Sequence, residues 1–284
     1  MYVEHLRLPV GPGSVHVERL GRGSTAVLFV HGFGTNASLW RPVTRRLAEA
    51  GFLTLAVDLL GHGESDRPVN ASYDLASQAD ALERVLAALR LERATVVGQD
   101  VGALVALAMA ARHPSLVEQL VLVNPPDPSD LPPAPVRLMQ RSAARVALST
   151  VGHQLGATAL IAAVLADATG DPAQLPQRDM ARYLAPWVGA GGVEQLLVLA
   201  RTLEQESVPL ASLASIETPT LVMRGTADRG VAPTIAPALA GTLRNARLET
   251  IVGAGRLLAN DVPDRLGELL RERLEHAAFP AASP

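Results

Sequence analysis

Apolar residues along the chain follow two periodicities that take turns. Continuous apolar runs at Ala26 to Val30, Phe52 to Val57, Ala94 to Val97 and Gln119 to Val123 predict strands buried on both faces. Between them, residues from Leu39 to Ala50, from Leu75 to Leu89 and from Ala103 to Ala111 place apolar side chains at helical spacing, and Gly51 stops the first of these helices. Ahead of this alternation, Val3 to Leu8 and Val15 to Leu20 flank Gly11-Pro12-Gly13-Ser14, a hairpin signal. Strand and helix in turn predict an α/β fold with a mostly parallel sheet flanked by helices.

The pattern changes after Asn124. Six prolines fall within residues 124 to 135, and from Val136 to about Val208 the spacing is helical with no strand signal. Helices are predicted from Arg137 to Val151, Ala157 to Ala168, Met180 to Trp187 and Val193 to Glu206. Alternation then resumes: a strand from Thr220 to Met223, a helix from Thr234 to Leu243, a strand from Arg247 to Val252 and a helix from Val262 to Leu274. The expected organisation is a core of residues 1–125 and 209–276, a helical cap of 126–208 inserted after strand 6, and a disordered tail, 277–284. The loops at 31–34, 58–65, 98–102 and 124–127 fall at the carboxyl ends of the strands, where open parallel sheets bind ligands.

Composition narrows the chemistry. No cysteine is present, which excludes disulfides, thiolate metal sites and thiol catalysis. All 25 basic residues are arginine, so lysine Schiff bases and P-loop lysines are excluded too. A net charge of -3, without a basic patch, argues against nucleic acid. With no long apolar stretch and no signal peptide, a cytoplasmic protein away from membranes is expected.

Residues Gly98-Gln99-Asp100-Val101-Gly102 join a strand to a helix through a sharp turn. Glycines at both ends let the two backbones nearly touch, and the central residue is left strained, exposed and aimed into a cleft. This is a nucleophile-elbow pattern with Asp where Ser is usual. His31-Gly32 follows the third strand, Asp58 to Ser65 the fourth, and Gly225-Thr226-Ala227-Asp228 the seventh.

These spaced motifs make the sequence resemble the α/β-hydrolase fold, an eight-stranded sheet, and within it the Asp-nucleophile branch of haloalkane dehalogenases and epoxide hydrolases. The resemblance implies that Asp100 attacks, that Asp228 orients a histidine, and that the backbone N–H groups of Phe33 and Val101 form an oxyanion hole. It implies the histidine within Gly253-Ala254-Gly255-Arg256, where this chain has Arg256. Arginine accepts no proton at any relevant pH, so an ester formed on Asp100 would lack the base that activates water. A guanidinium there is expected to face Asp100 and Asp228 together, keeping Asp100 ionised with a lowered pKa.

Neither Phe33 nor Val101 has a donor side chain for a halide. Seven histidines remain. His31 supports the oxyanion loop or touches substrate, and His153 in the cap could point downward as a replacement base. His62 reads as a turn residue, His113 as the end of the elbow helix, and His5, His16 and His276 as surface groups. Tyr183 and Trp187 share a helix face, either packed on the core or forming an aromatic wall for a flat substrate.

Three function classes follow. The first is a non-hydrolytic acid-base or electrostatic catalyst (cyclisation, C–C bond formation or addition/elimination) acting on a hydrophobic secondary metabolite of natural-product biosynthesis. The second is an epoxide hydrolase- or esterase-like hydrolase using Asp100 with another base. The third is an inactive small-molecule binding protein. The expected partner is a hydrophobic small molecule, with no cofactor or metal, no nucleic acid and no membrane; a homodimer stays open.

Overall fold

The computed structural model describes residues 2–127, 131–132, 136–137, 157–171, 175–204 and 213–275. Among these, eight strands form one sheet in the order β1-β2-β4-β3-β5-β6-β7-β8. The strands are β1 (Glu4–Pro9), β2 (Ser14–Leu20), β3 (Ala26–Val30), β4 (Leu53–Val57), β5 (Ala94–Gln99), β6 (Val117–Val123), β7 (Thr220–Gly225) and β8 (Ala246–Ile251). β1 and β2 form the expected hairpin and β2 runs antiparallel to β4, while every pairing from β4 to β8 is parallel.

β3, β4 and β5 are buried at every position, as their unbroken apolar runs require of strands covered on both faces. The cover comes from α1 (Arg41–Glu49), α2 (Leu75–Ala88), α3 (Val101–Arg112) and α9 (Pro263–Glu275), with α1 against α9 and α2 against α3. The side chain of Asp74 caps α2 by accepting from the Ser77 N–H at 2.6 Å. The single helix predicted from Leu39 to Ala50 divides instead into a 3-10 turn, Ala37–Trp40, and α1.

Between β6 and β7 lie α4 (Thr158–Ala168), α5 (Gln177–Leu184) and α6 (Gly189–Glu204), and after β7 come α7 (Ile235–Thr242) and the short α8 (Leu258–Asp261). The predicted helix from Met180 to Trp187 ends three residues early, in a 3-10 turn over Ala185–Trp187 that contains Pro186. Most of the helix predicted from Arg137 to Val151, together with His153 and the tail from 277, lies outside the described residues.

Hydrogen bonds tie this helical segment to the loops at the carboxyl ends of the strands. Asn36 Nδ2 donates to the Arg182 carbonyl at 3.0 Å, and Arg67 Nη2 to that of Pro186 at 2.7 Å. Leu257 N–H donates to the Ala168 carbonyl at 3.0 Å. No helix among the described residues is long and apolar enough to cross a membrane.

Candidate active site

β5 delivers Asp100 into a turn with φ 55° and ψ −126°, conformational space that a residue with a Cβ rarely enters. Strain of this kind amounts to roughly 1–3 kcal/mol and persists only where the surroundings impose it. Here they do. A Cβ on Gly98 would collide with the Gly102 carbonyl, and one on Gly102 with the carbonyls of Val30 and His31. The Asp100 N–H is fixed on the Val123 carbonyl at 2.9 Å.

The elbow is therefore strained as expected, but Asp100 is not exposed: only 5% of it reaches solvent. Its Oδ2 accepts from the Phe33 N–H at 3.0 Å, and the Val101 N–H also bonds the carboxyl group. The two donors expected to wait for a substrate oxygen thus act on Asp100 itself. Burial raises the Asp100 pKa, and the opposing pull of Arg256 and the two N–H groups does not cancel that effect. The expected lowered pKa is thereby corrected, because removal from water outweighs the nearby positive charge.

Arg256 also differs from expectation. Its Nε and Nη2 both donate to one oxygen, Asp228 Oδ1, each at 3.3 Å. No ion pair joins it to Asp100 among the described residues, although its charge still acts on that carboxyl group. Asp228 Oδ1 further accepts from the Gly230 N–H at 2.9 Å and the Val231 N–H at 3.3 Å, whereas its buried Oδ2 has no partner. Gly230 makes the arrangement possible, since a Cβ there would occupy the space of Arg256 Nη2.

Several residues that fix these groups carry no obvious signal in the sequence. Asn124, at the end of β6 with φ 44°, donates from Nδ2 to the carbonyls of Gly255 and Arg256 at 3.0 and 2.9 Å. Its Oδ1 accepts from the Gly225 N–H at 2.8 Å, so one amide joins the ends of β6, β7 and β8. Asp261 Oδ2 accepts from Gly255 N–H at 2.6 Å and Gly170 N–H at 2.9 Å, which binds the Arg256 loop to the end of α4.

Among the described residues, His31, His16, His62 and His113 fall into scaffold roles. His31 is fully buried; its Nδ1 donates to the Gly32 carbonyl at 2.8 Å and its Nε2 accepts from the Leu59 N–H at 3.1 Å. With both nitrogens engaged, His31 braces the loop after β3 against the loop after β4. His16, expected at the surface, is buried, with Nδ1 2.9 Å from Asp58 Oδ2. Asp58 also accepts from the N–H groups of Ala37 and Glu64 at 2.6 and 2.8 Å, joining the loops after β3 and β4.

His62 is buried between the rings of His31 and Trp187, at centroid distances of 5.1 and 6.2 Å. Burial, reinforced by His31, holds its pKa down at about 3, too low for a base that must work near neutral pH. His113, at the end of α3, lies 2.8 Å from Asp80 Oδ1.

Tyr183 and Trp187 are both buried and point to different partners. Tyr183 OH donates to Asn260 Oδ1 at 3.1 Å, and burial raises its pKa. Trp187 lies 6.5 Å from the Phe33 ring, with the Arg67 guanidinium 6.0 Å from its centroid. Both side chains are thus packed into the protein, Trp187 beside Phe33 and Tyr183 anchoring α5 to α8.

Similar proteins agree with this architecture. An epoxide hydrolase, CorEH, superposes with a TM-score of 0.82 at 20% identity, covering 98% of this chain and 100% of that one. A meta-cleavage product hydrolase from Pseudomonas fluorescens superposes at 0.79 with 19% identity, covering 97% and 98%. At such identities the likeness concerns the fold. An uncharacterised protein of Mycobacterium tuberculosis is 41% identical over 106 residues, which is 37% of this chain and 30% of the relative, so the match spans under a third of that relative's length. The family model described as the α/β hydrolase fold matches residues 25–259, across elbow, acid and Arg256 loop, and the chain belongs to that family.

Proposed function

We propose that this α/β-hydrolase-fold protein is an acid-base catalyst in which Asp100 moves a proton and Arg256 stabilises the anion that forms. The observation that carries the reading is the state of the Asp100 carboxyl group. Its Oδ2 is held by the Phe33 N–H, the Val101 N–H also acts on the group, and burial nevertheless shifts its pKa upward, towards the range of a useful base. Arg256 contributes a permanent charge and no base. In a water-poor site that charge favours an enolate or phenolate over its neutral parent.

The substrate class is a hydrophobic molecule bearing an acidic C–H or O–H. Ile161 and Leu165 of α4 lie beside Gly34, and with Phe33 and Trp187 they make the surroundings of the elbow apolar. Cyclisation, C–C bond formation and addition/elimination all begin with such a proton transfer.

A covalent reading rests on one specific feature. The Phe33 N–H on Asp100 Oδ2 would also stabilise the oxyanion formed when water attacks an ester of Asp100, and an epoxide hydrolase is among the similar structures. That route lacks a base at position 256.

Exchange of the acidic protons of a hydrophobic ketone in D2O, followed by NMR, separates the two. The proton-transfer reading expects catalysed exchange that falls about 100-fold in Asp100→Asn and in Arg256→Ala. Unchanged exchange in both variants, or an adduct of substrate mass on Asp100 after incubation with an epoxide, would contradict it.

A further inference from the structure

The edge hairpin gathers a second set of chemically able side chains. His5 of β1 stands opposite Glu18 of β2, and His16 lies two residues before Glu18, on the same face of its strand. Donor atoms of His5, His16 and Glu18 all lie within 4.8 Å of one another. His5 Nδ1 is 2.9 Å from His16 Nε2, while the other ring nitrogen of His16 is held by Asp58 Oδ2 at 2.9 Å.

A histidine whose far nitrogen is fixed on a carboxylate has its tautomer and ring plane set, which is how proteins orient imidazole towards a metal. Glu18 is likewise fixed. Arg41 donates to both its oxygens, from Nη2 to Oε1 at 2.7 Å and from Nε to Oε2 at 2.9 Å. Oε1 also accepts from Arg41 Nε at 3.2 Å, so Oε2 is the oxygen that retains a second lone pair. Asp58, Glu18 and Glu64 act on His16 with negative charge, and the two guanidiniums nearby, Arg41 and the Arg7 that stands opposite His16, are paired with Glu18 and Asp66, so the local field favours a cation.

The geometry points to a divalent transition-metal site, with Zn2+ as the best fit, formed by His5 Nδ1, His16 Nε2 and a Glu18 oxygen. Two imidazoles on a tetrahedral zinc stand about 3.3 Å apart, given Zn–N bonds of roughly 2.0–2.1 Å. The pair at 2.9 Å needs only a few tenths of an ångström of opening, which the exposed His5 side chain can supply. Two histidines and one glutamate leave a fourth position for water, reached from the solvent side of β1. An ion there would staple the edge strand to the sheet and stiffen the Asp58 contacts to the oxyanion loop.

Titration of the full chain, stripped with a chelator, with ZnCl2 by calorimetry tests this, with Co2+ absorption as a spectroscopic readout of ligation. The expected result is one ion per chain, a raised Tm on zinc addition, and binding weakened at least tenfold in His5→Ala, whose exposed side chain is dispensable for folding. Glu18→Gln should weaken binding as well. Absence of stoichiometric binding, or binding and cobalt bands unchanged in His5→Ala, would overturn the assignment. In the first case His5 and His16 share a hydrogen bond only, and in the second the ion sits elsewhere.

Discussion

Asp100 carries its charge in a place that disfavours it. The carboxyl group is buried, its backbone is strained, and burial raises its pKa above the ordinary 3.8. A folded-state pKa above the unfolded one means that the folded protein holds more protons as pH rises from 3.8 through the folded value, so stability falls across that window. Asp100→Asn keeps the Phe33 hydrogen bond and removes the ionisation. Its Tm should exceed that of the wild type at pH 8 and by less near pH 4, as differential scanning fluorimetry would read. A variant less stable than wild type at both pH values would contradict a raised pKa.

At the scale of elements, the site is made by three strand ends tied to one another. Asn124 bonds the loops after β7 and β8, and Asp261 bonds the β8 loop to α4, so Arg256 rests on a frame drawn from both sides of the helical segment. Asn124→Ala would strand the Gly225 N–H and two carbonyls, at about 1–3 kcal/mol for a buried group left unpaired. Urea unfolding should register that loss, and activity should fall further than stability because the Arg256 backbone loses its anchor. Asn124 was hard to see in the sequence. It stands before a proline run where a loop is expected anyway, and its task depends on contacts 101 and 132 residues away. The elbow was legible because glycines at 98 and 102 answer a local steric demand.

For the molecule as a whole, the order of buried strands and amphipathic helices was written in periodicity, and the sheet follows it from β3 to β8. Long-range electrostatics was not. Periodicity could not say that Asp58 would pull His16 inward, that Phe33 N–H would close on Asp100, or that Arg256 would give both donors to Asp228. Each depends on loops that meet only after the sheet forms. We propose that residue 256 decides whether the elbow aspartate moves protons or supports hydrolysis. Multiple-turnover hydrolysis of generic epoxides and esters by the wild type and by Arg256→His, measured side by side, tests it most directly. The wild type should show no sustained turnover, and Arg256→His should gain hydrolysis by about 100-fold, the effect of one positioned base. Sustained hydrolysis by the wild type, undiminished in Arg256→Ala, would contradict the account.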